Sequence, residues 1–309
     1  MGSKARYKVM ELTVEEIYPR IFVYNNIFED PQRMYDIIKR IDTQDDQLFE
    51  SWKEWYTFGM KVEDFGIWFD RTKNQTVALA DVETKNEIQE EQKYFITELI
   101  NGFHKVNNDY IKRFDLDIDL NAKSYPINPL PQGQADDFRT FTEEVPTWRW
   151  TGPSLCKYFI DAGNGEDLEM NYHSDYIREP IVTPGYKFAI TTTTYFNDDY
   201  DGGDLDFVID NKLIGYKPKM GDFVVFPSGH PDILTENGKV YLHGVKNSYK
   251  TEKYFTRLYW TKFDQGDPEW FENEAKYGKE EWAKMQGPIM EEYRQNVQKK
   301  DIDKCVRIR

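Results

Sequence analysis

Between residues 154 and 260 the chain breaks into short runs rich in β-branched and aromatic residues: "LCKYFI" (155–160), "MNYHSDY" (170–176), "YKFAITTTTYF" (186–196), "DLDFVI" (204–209), "DFVVFPS" (222–228), "VYLHGV" (240–245) and "KYFTRLYW" (253–260). Gly and Asp turn signals separate them, and no internal repeat accompanies them. Many short strands at such spacing fold as an all-β sandwich or barrel.

The flanks read as helices. "RIFVYNNIF" (20–28) is strand-like; Asp30 then offers an N-cap and Pro31 a first helical residue. Met34, Ile37, Ile38 and Ile41 follow at helical spacing. A second helix is expected from about Thr84, where "TKNE" fits a capping box, with Ile88, Phe95, Ile96, Leu99, Phe103, Val106 and Tyr110 as its stripe. His104 flanks that stripe, where a satisfied or exposed helical histidine is the ordinary account. "FDLDIDLN" (114–121) alternates at period two and predicts a half-buried strand with Asp115, Asp117 and Asp119 on a solvated face. Residues 121–150 carry Pro126, Pro129, Pro131, Gly133 and Pro146 with little periodicity, so a mobile lid is expected there. At the far end Asp267-Pro268 opens a tail helix in which Trp270, Phe271 and Trp282 are expected to pack.

Bulk properties exclude several partners. A chain of 309 residues can bury a sizeable core, and its net charge of −15 argues against nucleic acid or an anionic membrane. Cys156 and Cys305 are the only cysteines, which makes neither a disulfide framework nor a zinc ribbon, so a reducing, cytoplasmic setting is expected. No apolar h-region opens the sequence and no long apolar run occurs, so neither a signal peptide nor a membrane span is expected.

The chain's four histidines stand at 104, 173, 230 and 243. In "HSD" (173–175), His173 and Asp175 would project from one face of a strand. A histidine from another strand would complete two imidazoles and a carboxylate on one side of a metal, the pattern of non-haem Fe(II) oxygenases. The tripeptide alone is weak evidence. His230, between Gly229 and Pro231, reads as turn, whereas His243 ends an apolar run, so strand placement favours His243. "DDYDGGDLD" (198–206) lacks the ligand spacing of a calcium loop and reads as a turn, and "GNG" (163–165) opens no helix that could cradle a phosphate.

Taken together, these segments resemble the 2-oxoglutarate- and Fe(II)-dependent dioxygenases, particularly the prolyl 4-hydroxylase-like branch. "HSD" is followed by a distal His243 and by Lys253 ten positions beyond. "YFNDDYDGGDLDF" (195–207), "KPKMGDFVVFPS" (217–228) and "LHGVKNSYKTEKYF" (242–255) resemble that branch's intervening segments, and "PRIFVYNNIFEDPQRMYDII" (19–38) its opening. The likeness covers about 155–262 well and 17–42 weakly. It implies a double-stranded β-helix, or jelly roll, with flanking N- and C-terminal helices. Residues 1–150 would be an N-terminal region with a substrate-groove insertion, 151–265 the catalytic core and 266–309 a helical extension, all in one compact unit.

The resemblance also implies roles. His173, Asp175 and His243 would hold Fe(II), and 2-oxoglutarate would take two of the remaining sites. Lys253 would neutralise its far carboxylate; Arg257, on the same face of a continuous strand, is the alternative anchor or a contact for an anionic substrate group. A lysine snorkelling from a sheet edge is the ordinary account of either. Tyr158 and Thr194 would line the cosubstrate side, with plain barrel packing as their ordinary account. The reaction would consume O2 and 2-oxoglutarate, release succinate and CO2 and hydroxylate an unactivated carbon, with ascorbate as a reductant. Related halogenating enzymes lack the carboxylate that Asp175 supplies here. The substrate would be a peptidyl proline or another protein residue, with a free amino acid or small metabolite as the alternative. Two further classes stand beside it: a metal enzyme on the same sandwich that does not use 2-oxoglutarate, and a catalytically silent binding module.

Overall fold

The computed structural model describes residues 12–43, 53–57, 60–66, 87–116, 118, 148–150, 154–158, 168–175, 185–209, 212–228, 241–246, 248–264, 266–299 and 306–308. In chain order the elements begin with β1 (Thr13–Tyr18), β2 (Ile21–Asn25), α1 (Pro31–Thr43), β3 (Lys53–Thr57), β4 (Met60–Gly66) and α2 (Glu87–Arg113). Then come β5 (Trp148–Trp150), β6 (Ser154–Tyr158), β7 (Leu168–His173), β8 (Gly185–Tyr195), β9 (Asp201–Gly202) and β10 (Leu205–Ile209). The strands continue with β11 (Lys212–Tyr216), β12 (Phe223–Pro227), β13 (Leu242–Lys246), β14 (Ser248–Tyr249) and β15 (Lys253–Asp264). The chain closes with α3 (Pro268–Tyr277), α4 (Lys279–Lys299) and β16 (Val306–Ile308).

Eight of these strands pair as a hairpin folded over on itself. β10 pairs β11, β8 pairs β12, β7 pairs β13 and β6 pairs β15, all antiparallel, so pairing proceeds outward from the central turn. Cross-links β15 to β8 and β13 to β10 then gather the strands into two sheets, in the orders β12-β8-β15-β6 and β11-β10-β13-β7. That connectivity is a jelly roll, the double-stranded β-helix. β2 with β1, β4 with β3, and β5 extend the first sheet, and β16 extends the second.

Strand alternation explains why the larger sheet is buried on both faces. Val23, Tyr195, Val224 and Phe255 point inward to meet Leu205, Phe207 and Val245 of the smaller sheet. The alternate residues Phe22, Tyr24, Phe223, Val225 and Tyr254 point outward beneath α1 and α2. α1 contributes Met34, Ile37 and Ile38, and α2 contributes Phe95, Leu99, Phe103, Val106 and Tyr110, so the helical spacing seen in the sequence is the spacing of buried contacts. Asp30 caps α1 as expected, its carboxylate accepting from the Arg33 amide at 3.0 Å.

Three expectations fail. Residues 114–118 are not a strand where they are described: Leu116 N–H donates to Ile111 C=O at 3.1 Å and Asp115 N–H to Lys112 C=O at 3.3 Å. Asp115 itself has a φ of 48°. This is a Schellman end to α2, with Asp115 in the left-handed position, so the period-two text is a helix stop. In the tail Asp267 and Pro268 cap α3 and Trp270 meets Trp282 at 5.5 Å, but Phe271 is 37% exposed. Of the lid expected over 121–150, residues 148–150 are instead β5, paired with β15 in the first sheet; 121–147, Thr84–Asn86 of the "TKNE" box, Asp117, Asp119, "GNG" at 163–165, His230 and Cys305 lie outside the described residues.

Candidate active site

His173 is the last residue of β7, and the β7–β13 ladder sets it directly opposite His243. The two rings lie 4.4 Å apart between centroids. Asp175 sits two residues past the end of β7, so the triplet is part strand and part bend. Its Oδ1 is 3.6 Å from His173 Nε2 and its Oδ2 3.5 Å from His243 Nε2. One donor atom from each of the three residues falls within 4.8 Å of the others. His104 is exposed on α2, away from them.

Electrostatics prepare the three for a cation. Burial lowers the His243 pKa to about 4 despite the nearby carboxylate, so its imidazole is neutral around pH 7. Its Nδ1 faces the Tyr241 carbonyl at 3.5 Å, which favours the tautomer whose unprotonated Nε2 faces Asp175. Burial alone would raise the Asp175 pKa, but hydrogen bonds from His173 and Thr191 help to hold it below the usual carboxylate range. Two imidazoles and one carboxylate, nearly dry and converging, fit a first-row divalent metal with positions left open.

The triad opens on a pocket between the sheets that encloses about 460 Å³ with the open solvent at its mouth included. Strand β15 supplies one wall, with Lys253, Phe255, Arg257 and Tyr259 facing in. Lys253 is 1% exposed; its Nζ donates to the Gly203 carbonyl at 2.6 Å and lies 4.9 Å from the Tyr195 ring centroid. The carbonyl is aimed there by a tight turn in which Gly202 and Gly203 take φ of 68° and 66°. Tyr158 closes the same end against Phe255, with ring centroids 4.7 Å apart. A buried ammonium inside an aromatic pocket suits the carboxylate of a small dianion.

Sequence-expected residues therefore meet at one place: His173, Asp175, His243, Tyr158, Lys253 and Arg257 all line the pocket. Thr194 does not. The pocket face of β8 carries Thr191, Thr193 and Tyr195, so Thr194 shares the opposite face with Thr192, whose hydroxyl donates to Asn107 of α2 at 2.7 Å. The run of four threonines concealed this parity. Thr191, which donates to Asp175, and Thr193, which lines the pocket, belong to the site as well; the signal for both is Tyr195, whose inward position fixes their parity.

No family model matches the chain, and no curated protein matches it. Among solved structures it aligns with the viral collagen prolyl hydroxylase of Paramecium Bursaria Chlorella virus-1 in complex with 2OG, over 79% of this chain and 97% of that one (TM-score 0.42, 13% identity). A Pseudomonas putida prolyl-4-hydroxylase aligns over 79% and 93% (TM-score 0.41, 12% identity). The Arabidopsis thaliana dioxygenase for auxin oxidation 1 aligns over 81% and 84% (TM-score 0.47, 12% identity). Likenesses this distant carry no weight for activity, and the fold rests on the strand pairing itself. Two imidazoles and one carboxylate facing an open pocket between the sheets of a jelly roll are the donor pattern of non-haem Fe(II) oxygenases.

Proposed function

We propose that the chain is an Fe(II)- and 2-oxoglutarate-dependent dioxygenase that hydroxylates an unactivated carbon. The observation that carries this reading is one pocket with the His173–Asp175–His243 triad on its wall and the buried Lys253 ammonium at its closed end. His173, Asp175 and His243 would hold the iron, and Lys253 would neutralise the far carboxylate of 2-oxoglutarate. Tyr158, Tyr195 and Phe255 line the pocket with Lys253 and would shield the cosubstrate from water. Arg257, opposite Thr193 in the ladder and between Lys253 and the Thr191–Asp175 contact, would face the cosubstrate or substrate rather than anchor the far carboxylate. When bound, iron and 2-oxoglutarate supply the activation of O2, coupling decarboxylation to succinate with hydroxylation of a C–H bond. Asp175 fills the carboxylate position, which supports hydroxylation over halogenation.

A peptidyl proline or another protein residue is the proposed substrate class, carried over from the sequence motifs, with a free amino acid or small metabolite as the alternative. Ascorbate is the proposed reductant. Among the described residues no helix is long and apolar enough to cross a membrane. The test is an anaerobic titration with Fe(II) and then 2-oxoglutarate, read by the visible charge-transfer band of the chelate. A band lost in His243→Ala supports the reading; bound iron without a band removes 2-oxoglutarate from the site. Succinate release with prolyl peptides against free amino acids then separates the two substrate classes.

A further inference from the structure

We propose that Thr191 and Ser228 form a two-hydroxyl relay that positions the Asp175 carboxylate for ligation through one oxygen, and that Ser174, the middle residue of the triplet, fastens the ligand bend to that relay. The proposal rests on the reading of the triad as a metal site.

Thr191 Oγ1 lies 2.6 Å from Asp175 Oδ2 and 2.6 Å from Ser228 Oγ. A hydroxyl has one proton to give and an ionised carboxylate only accepts. Thr191 therefore donates to Asp175, and Ser228 donates to Thr191. The direction of the relay follows from proton counting alone. Thr191 is 2% and Ser228 0% exposed, so water does not compete for these bonds.

A second set of bonds anchors the relay. The Ser228 amide donates to the Ala189 carbonyl at 2.9 Å, and Ser174 Oγ donates to the Ser228 carbonyl at 2.8 Å. Ser228 is thereby tied to β8 on one side and holds the bend between the two ligands on the other. This matters because His173 and His243 sit within paired strands, whereas Asp175 lies beyond the end of β7. Side-chain bonds must do for Asp175 what the ladder does for the histidines. Oδ2 lies 3.5 Å from His243 Nε2 but gives one lone pair to Thr191, which leaves Oδ1, 3.6 Å from His173 Nε2, the less encumbered oxygen for a metal. Ligation through both oxygens, which would close one of the open positions, is disfavoured.

The test uses the full chain stripped of metal, with Mn(II) binding followed by electron paramagnetic resonance and Co(II) coordination by its visible spectrum. Thr191→Val keeps the shape and removes the hydroxyl; it is expected to weaken Mn(II) binding by about 10- to 100-fold and to shift the Co(II) spectrum toward higher coordination. Thr191→Ser should restore both, and Ser228→Ala should fall between. A folded Thr191→Val protein with wild-type Mn(II) affinity and Co(II) spectrum overturns the relay. If Thr191→Val does not fold, Ser228→Ala decides, because unchanged affinity and spectrum there overturn it equally. A wild-type chain that binds neither Mn(II) nor Fe(II) overturns the metal-site reading and the relay with it; intact binding in wild type with no effect of either variant overturns the relay alone.

Discussion

Replacing Lys253 by Met separates a binding role from a structural one, because the two roles predict different signs. The ammonium is 1% exposed, donates to the Gly203 carbonyl at 2.6 Å and has aromatic rings around it. Removing one partner of a buried ion pair costs about 3–5 kcal/mol. At 1.4 kcal/mol per decade, that is roughly two to three and a half decades in the Kd for 2-oxoglutarate. In the ligand-free protein the balance is different. Met fills much the same volume, the lost hydrogen bond costs about 1 kcal/mol, and relief from burying a charge offsets it. Stability without ligand should therefore change by about 1 kcal/mol or less. The assay pairs an anaerobic titration of the Fe(II) protein with 2-oxoglutarate, read by the chelate band, with urea unfolding of the metal-free chain. A Lys253→Met protein that titrates like wild type, while Arg257→Met weakens binding by two decades, would refute the assignment of the anchor. Loss of several kcal/mol of stability in the ligand-free state would make Lys253 a structural residue instead.

Other perturbations follow from the same geometry. A Cβ at Gly203 would stand 2.6 Å from the Tyr200 ring, at a backbone φ of 66°, so Gly203→Ala must displace the carbonyl that holds Lys253. The 2-oxoglutarate Kd should rise about 10-fold, the equivalent of roughly one lost hydrogen bond, in the same titration. His173→Ala, Asp175→Ala and His243→Ala should each abolish metal-dependent succinate formation, whereas His104→Ala and His230→Ala should leave it intact. In the metal-free protein His243 is held at a pKa of about 4, below the ordinary 6.5, so between those values the unfolded chain binds a proton that the native state does not. The stabilisation is fully present above pH 6.5 and is lost as pH falls toward 4, by up to about 3 kcal/mol. Urea midpoints between pH 7 and 4.5 should show that slope in wild type and a shallower one in His243→Gln; equal slopes would refute it.

What could be read from the sequence, and what could not, divides along a physical line. Strand content was legible because β-branched and aromatic runs between Gly and Asp turns report local preference, and β12, "FVVFP", is apolar throughout because both its faces are buried. β11, "KLIGY", escaped notice because its residues are exposed or half-buried and carry no such run. The alternation at 114–118 misled for the converse reason. Period two in a few residues is also what a helix stop produces when Leu116 and Ile118 fold back on the core, and only the left-handed Asp115 tells the two apart.

The site divides in the same way, between residue identity and strand parity. Identity singled out His173, Asp175, His243 and Lys253, since few side chains can ligate a metal or neutralise a buried carboxylate, and these four line one pocket. Parity failed at Thr194, because four consecutive threonines offer the same side chain to both faces of β8. An external mark was needed, and the structure supplies two. Tyr195 lies in the cluster between the sheets, and Thr191 reaches Asp175. Since 191, 193 and 195 share one face, either mark excludes Thr194 from the pocket and places Thr193 across from Arg257. The same parity puts Thr192 on Asn107 of α2, so adjacent residues of one strand bind Asp175 on one side and the supporting helix on the other. The uniform "TTTT" is thus two alternating pairs with different duties, and a one-residue slip of β8 would exchange their faces and turn Tyr195 out of the cluster between the sheets.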